Sequence, residues 1–359
     1  MEKKVLVIDD SALMRRVISD IINADERLTV ADTAMNGMMA LEKLKRGARY
    51  DVILVDIQMP KMNGVQFLKA LNREQIRIPV IVVSSVASKS ADETIEALEL
   101  GAMDFVKKPE NTMGSEQEEF QGKVLRSVYV ACGLERYQEE REREKHRLEK
   151  PVERLRTVPL TPRAVKKGEK LVVIASSTGG PKALQSVVPY FPKGFPYPVV
   201  VVQHMPAGFT ASLAKRLDEL SPLTVREAAD GDILQAGMIY IAQGGKQCEL
   251  IQRGPGQYQI SENDKPPRGG LKPCADIFLE SLVDTSFEEI YCAVLTGMGA
   301  DATKGIELLK KTKKMKVVAQ NQATCVVYGM PRAVVQARLT DSVVALESVT
   351  GTLIKTIEE

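Results

Sequence analysis

Short apolar runs alternate with amphipathic helical runs along most of this chain, and that alternation limits the fold more than any other feature. In the first half the apolar runs are 4–8 (KVLVI), Leu28–Ala34, Val52–Val55, Val80–Val83 and Phe105–Lys107. Helical spacing fills the gaps: a run capped by Ser11 that continues to about Ile22, then about 36–46, 63–73 and 90–100, and a last helix over about 116–132. In the second half comparable runs occur at Leu171–Ala175, Pro198–Val202 and Ile290–Leu295. Strands that alternate with helices in this way pair in parallel, with the helices packed on both faces of the sheet. A parallel sheet gathers the carboxyl ends of its strands at one edge, where open α/β folds place their sites. The residues that follow each apolar run therefore fall at that edge.

At 359 residues with 44% hydrophobic content, the chain has room for two domains, each with its own core. The apolar runs fall far short of the roughly 20 residues that span a bilayer, and the first residues, MEKKVLVID, hold no signal-type apolar region. A net charge of +2 gives no footprint for nucleic acid or a membrane surface. Five scattered cysteines without a CxxC pair point to a reducing, cytoplasmic setting. The only histidines are His146, inside a charged run, and His204, which ends a buried-type run, so zinc chemistry has no ligand cluster and His204 is the one plausible imidazole base.

In the first half, Asp9, Asp10 and Asp56 all fall at strand ends and can converge on one crevice. Carboxylates that close repel one another unless a cation joins them, and an all-oxygen set suits Mg²⁺. Ser84 and Lys108 end the fourth and fifth runs, and a hydroxyl and an ammonium facing an aspartate meet the needs of a phosphorylated carboxylate. The motifs VLVIDDSALMR, ILVDIQMPKMNG, VVSS and DFVKKP, in that order, resemble the receiver domain of two-component response regulators. The resemblance implies a flavodoxin-like (βα)5 fold over residues 1–133, with Asp56 as phosphoacceptor and Asp9, Asp10 and Asp56 holding Mg²⁺. It further implies that Ser84 is the switch hydroxyl, Phe105 the switch aromatic and Lys108 the contact to the phosphoryl group, with a histidine kinase as phosphodonor.

Residues 134–168 mix acids and bases densely, with almost no apolar face, and read as a solvated, charged linker. No helix-turn-helix pattern or basic recognition helix follows it, which argues against a DNA-binding output.

In the second half, LVVIASSTGGPKAL is a strand-type run that breaks at Ser177 and restarts as a helix at Pro181. A strand followed by a Gly-Gly turn often makes only the turn, but two later runs end in Gln203-His204 and in TGMGAD, which contains Asp301. A serine, a histidine and an aspartate beyond three strand ends form a possible hydrolytic triad, recognised by role rather than by chain order. The turn N–H groups of Thr178 and Met298 are the candidate oxyanion donors. STGG lacks the spaced glycines of a dinucleotide fingerprint.

The segments ASSTGG, VVVVQHMPAGFTASLAKRL, YIAQGG, AVLTGMGADATKGIELL and AQNQATCVVYGMPRAV together resemble the catalytic domain of the chemotaxis protein-glutamate methylesterases. The resemblance implies that residues 169–359 form a doubly wound, mostly parallel α/β hydrolytic domain, with Ser177 as nucleophile, His204 as general base and Asp301 as the residue that orients it. It implies hydrolysis of glutamate methyl esters on methyl-accepting chemoreceptors, with deamidation of glutamines as a second activity, and no cofactor for the esterase chemistry. On this reading the unphosphorylated receiver covers the Ser177 cleft. The chain departs from the family pattern at Gln243, where proline is usual, at Gln247, where a histidine usually follows the glycines, and at Cys274 and Gln322, where serine and glutamate are typical. Substrate contacts near Lys246 and Lys272 are carried over less directly for that reason.

Overall fold

The computed structural model describes residues 2–85, 88–109, 115–134 and 170–359. The charged linker expected over 134–168 lies, apart from Leu134, outside the described residues. The chain forms two compact units.

The first unit is built on strands β1 (Lys3–Ile8), β2 (Leu28–Ala34), β3 (Val52–Asp56), β4 (Val80–Ser84) and β5 (Asp104–Lys107). They form one parallel sheet in the order β2-β1-β3-β4-β5, the flavodoxin-like arrangement. The middle strands are apolar throughout because both their faces are covered. Val5, Val7, Leu54 and Ile81 pack with Ile18 and Ile22 of α1 (Ala12–Asn23) and with Phe120, Val124 and Val128 of α5 (Ser115–Ala131). The other helices are α2 (Gly37–Lys45) and α3 (Gly64–Arg73); α4 (Ser88–Glu99), between β4 and β5 in the chain, groups with the second unit. Ser11 caps α1 as the sequence predicts, its hydroxyl accepting the Met14 N–H at 3.3 Å. Two strands run one residue past their apolar stretch: Asp56 pairs with Val83 and Ser84 with Lys107 inside the ladder. Helix α3 starts hard against the end of β3, since a Cβ on Gly64 would stand 2.5 Å from the Asp56 carbonyl oxygen. Only glycine allows that approach.

The second unit carries β6 (Lys170–Ser176), β7 (Val199–Gln203), β8 (Thr224–Glu227), β9 (Met238–Ile241), β12 (Glu289–Val294), β13 (Lys314–Gln320) and β14 (Ser342–Val344). They pair in parallel in the order β14-β13-β12-β6-β7-β9-β8. The chain winds outward from β6 through β7 and then returns to the other side of β6 at β12, so the reversal of strand order falls beside β6. An antiparallel hairpin, β10 (Gln247–Gly254) with β11 (Gln257–Asn263), stands apart from this sheet. Helices α6 (Gly180–Gln185), α7 (Thr210–Leu220), α8 (Ala275–Ser281), α9 (Thr303–Thr312), α10 (Met330–Gln336) and α11 (Val349–Glu358) complete the unit. Helix α6 begins at Gly180, one residue before the expected Pro181, with Gly179 at a left-handed φ of 77° as its N-cap. Tyr240 and Phe278 are fully buried in the core, and Tyr258 stacks on Phe287 at 3.9 Å. Each such side chain contributes about 1.5–3 kcal/mol on burial.

Candidate active site and phosphoacceptor site

Strand register brings the three candidate triad residues of the second unit to one edge. Ser176 pairs with Gln203 across β6 and β7, so Ser177 and His204 are the next residues beyond two adjacent strands. On the other side Ala175 pairs with Val294 of β12, and the Ser177 N–H donates to the Thr296 carbonyl at 3.0 Å. The His204 N–H closes the pattern by donating to the Ser176 carbonyl at 3.0 Å. Asp301 reaches the same edge from the loop after β12, and His204 Nε2 lies 2.7 Å from its Oδ2. The other ring nitrogen, Nδ1, is buried and makes no hydrogen bond among the described residues.

Asp301 is one of the most heavily bonded carboxylates in the unit. Its Oδ2 also accepts the Ala275 N–H at 2.6 Å, and its Oδ1 accepts the Asp276 N–H at 2.9 Å and the Cys274 thiol at 3.2 Å. Burial pushes this carboxyl up, but the hydrogen bond and charge of His204 and the backbone donors outweigh it and hold it well below the usual carboxylate range. Asp301 is thus an ionised group that fixes which His204 nitrogen carries the proton.

The edge is braced by residues that the sequence reading did not single out. Gln203, buried at the end of β7, accepts from the Ser176 hydroxyl at 2.6 Å and donates to the carbonyls of Ser177 and His204, both at 3.0 Å. Gln320, at the end of β13, accepts the Thr296 N–H at 2.7 Å, and the Thr296 hydroxyl donates to the Thr178 carbonyl at 3.0 Å. The only sequence sign of either glutamine is an amide that closes an apolar strand run, as in VVVVQ and VVAQ.

Thr178 is half-buried on the turn that carries Ser177. Met298 follows Gly297, where an added Cβ would come within 2.8 Å of the Ser177 Cβ. The Thr178 and Met298 backbones thus flank the serine from two loops. Phe209 is fully buried and serves packing, and burial pushes the half-buried Cys325 thiol up to about 12, which disfavours the thiolate. Among the positions that depart from the family pattern, Gln247 accepts the Cys274 N–H at 3.0 Å and donates to the Leu271 carbonyl at 3.0 Å. The Gln243 N–H donates to Glu262 at 3.2 Å, while Gln322 is exposed. Lys246 and Lys272 share Asp264, at 2.6 and 3.5 Å.

In the first unit, oxygens of Asp9, Asp10 and Asp56 lie within 4.8 Å of one another. Lys108 Nζ bridges two of them, 2.8 Å from Asp9 and 2.9 Å from Asp56. Burial raises the Asp56 carboxyl to about 6, Lys108 pulls it down and Asp9 pushes it up. Three hard oxygen donors in one small, acidic crevice fit Mg²⁺. Ser84 and Phe105 are both buried, and the Ser84 carbonyl accepts the Lys108 N–H at 2.7 Å.

Two family profiles match this chain, one described as CheB methylesterase over residues 172–353 and one as response regulator receiver domain over residues 5–114. A protein-glutamate methylesterase/protein-glutamine glutaminase of Syntrophomonas wolfei is 41% identical over 97% of each chain. The Bacillus subtilis protein of that name is 38% identical over 99% of each. The crystal structure of the Thermotoga maritima CheB methylesterase catalytic domain superposes with a TM-score of 0.51 at 40% identity, covering 53% of this chain and 99% of that one. Among the described residues no helix is long and apolar enough to cross a membrane.

Proposed function

The chain belongs to the CheB methylesterase family, and from that premise we propose that Ser177, His204 and Asp301 are the triad of a protein-glutamate methylesterase and glutamine deamidase switched by phosphorylation of Asp56. The observation that carries the triad is the His204 ring, with Nε2 held 2.7 Å from Asp301 and Nδ1 buried with no hydrogen-bond partner among the described residues, while strand register sets Ser177 and His204 one residue beyond neighbouring strand ends. The Ser177 hydroxyl attacks the ester carbonyl while its proton passes to Nδ1, and Asp301 stabilises the imidazolium that forms. The tetrahedral oxyanion accepts the N–H groups of Thr178 and Met298. Collapse expels methanol, which takes the proton from His204, and water hydrolyses the acyl-serine by the same relay in reverse. With an amide substrate the leaving group is ammonia, and the steps are otherwise the same.

The substrates on this reading are glutamates of methyl-accepting chemoreceptors at the cytoplasmic side, and the phosphodonor is a histidine kinase. Asp9, Asp10 and Asp56 would hold Mg²⁺, which supplies charge neutralisation for phosphoryl transfer; Lys108 and Ser84 would contact the transferred group. The receiver unit restrains the esterase until Asp56 is phosphorylated, and the esterase chemistry needs no cofactor. The test is methanol release from methylated chemoreceptor membranes. Ser177→Ala should lower the rate by ~10⁴-fold or more, and a variant that keeps wild-type turnover would remove the serine from the mechanism.

A further inference from the structure

We propose that Cys274 is a positioning residue that acts on His204 through Asp301, its thiol being a deliberately weak fourth donor to the orienting carboxylate. This inference rests on the triad reading above.

Asp301 Oδ2 is shared by the Ala275 N–H and His204 Nε2, while Oδ1 holds the Asp276 N–H and the Cys274 Sγ at 3.2 Å. Three of these donors are N–H groups with firm geometry. The fourth is a thiol, which donates weakly. Cys274 is the N-cap residue of α8, and its N–H is tied to Gln247, so the side chain is held in place against Asp301. Cys274 is 2% exposed, so its thiol is kept away from bulk solvent. Burial first, and then the neighbouring Asp301 charge, push it up to about 12, so it remains a protonated donor wherever the enzyme works.

The other charged groups around the carboxylate are few. Asp276, on α8, turns its own carboxylate to the Gly305 N–H at 2.8 Å at the start of α9. Glu280 and Arg268 act on Asp276 from α8 and from the loop after β11, and they pair with each other at 2.6 Å. Among the described residues, Cys274 is therefore the one side chain besides His204 that donates to Asp301. A weak donor there leaves more of the negative charge facing the imidazole, which strengthens His204 as a base.

Two substitutions at this position should move the protein in opposite directions. Serine donates more strongly to a carboxylate than a thiol does, withdraws charge from Asp301 and destabilises the imidazolium. Alanine removes the donor and does the reverse. The experiment is the pH profile of kcat/KM for methanol release from methylated receptor membranes, using the full chain as wild type, Cys274→Ser and Cys274→Ala, with thermal melts to confirm folding. The acid limb should move to lower pH in the serine variant and to higher pH in the alanine variant, each by about half a unit. Limbs that coincide with wild type, or that move in the same direction, overturn the proposal. If the alanine variant does not fold, the serine variant decides alone, and a limb that fails to move down overturns it. Ser177→Ala in parallel separates the two readings, because an active Ser177→Ala removes the triad itself.

Discussion

Asp301 and Asp56 are both aspartates at the carboxyl end of a central parallel sheet, and they are 7% and 5% exposed, yet their carboxyls are driven in opposite directions. Asp301 accepts four hydrogen bonds and is held ionised. Asp56 has the Gln58 N–H and one lysine that it shares with Asp9, and is pushed up to about 6. Equal burial thus gives unequal acids, and the number of donors aimed at the oxygens decides which way each goes. The saturated carboxylate suits a fixed charge that steers a neighbour. The undersupplied one suits a group that must itself form a bond. Glu262 extends the series: it is largely buried, has the Gln243 N–H and the Cys248 thiol against it, and faces the charges of Glu227 and Asp230. Burial leads in raising it to about 7.

The contrast is broken most severely at the saturated end. Asp301→Asn keeps the shape but loses the charge and disturbs the N–H contacts of α8, and kcat for methanol release should fall by ~10³–10⁴-fold. A loss below tenfold would show that the four donors serve only packing. At the reactive end, Asp56→Asn should abolish stimulation by a small phosphodonor such as acetyl phosphate. In wild type that stimulation is expected to be roughly 10–100-fold, from a shift of ~1.4–2.7 kcal/mol in the restraint. Persistence of the stimulation would place the phosphate elsewhere. The smallest effect belongs to Glu262. Its folded form binds a proton more tightly than the unfolded chain, so this carboxyl favours the fold below about pH 4.5 and loses that advantage as pH rises through about 7. Glu262→Gln should remove the slope, and the variant's stability relative to wild type should rise by up to about 3 kcal/mol between pH 5 and pH 8, read from urea unfolding. A pH-independent difference would mean that Glu262 is solvated in the fold.

The parallel sheets and the strands that carry both sites follow from alternating apolar and amphipathic runs, while the flavodoxin-like order of the first unit follows from the resemblance to receiver domains. Burial on both faces forces such strands to be continuous in Val, Ile and Leu, which makes their ends easy to see. The side chains that brace the site are less visible. Gln203 accepts from the Ser176 hydroxyl on β6, and Cys274 donates to an aspartate in another loop, so these partners lie 27 residues away in the chain in each case. No local periodicity encodes contacts of that separation. The β10–β11 hairpin is less visible too, because its strands lie outside the parallel sheet and bury only alternate residues, Cys248, Leu250, Tyr258 and Ile260, so they lack the continuous apolar runs that mark the others. Pro181 illustrates the reverse: a strong local preference for a helix start that Gly179 and Gly180 shift by one residue.

The pairing of Ser176 with Gln203 and of Ala175 with Val294 means that the edge carrying Ser177 and His204 is set by counting residues along three neighbouring strands. Inserting or deleting a single residue in any of them would turn its terminal side chain to the opposite face of the sheet. Length variation among proteins built on this plan should therefore collect in the β10–β11 hairpin and the loops at the far edge, while the spacing from Lys170 to Ser177 and from Val199 to His204 stays fixed.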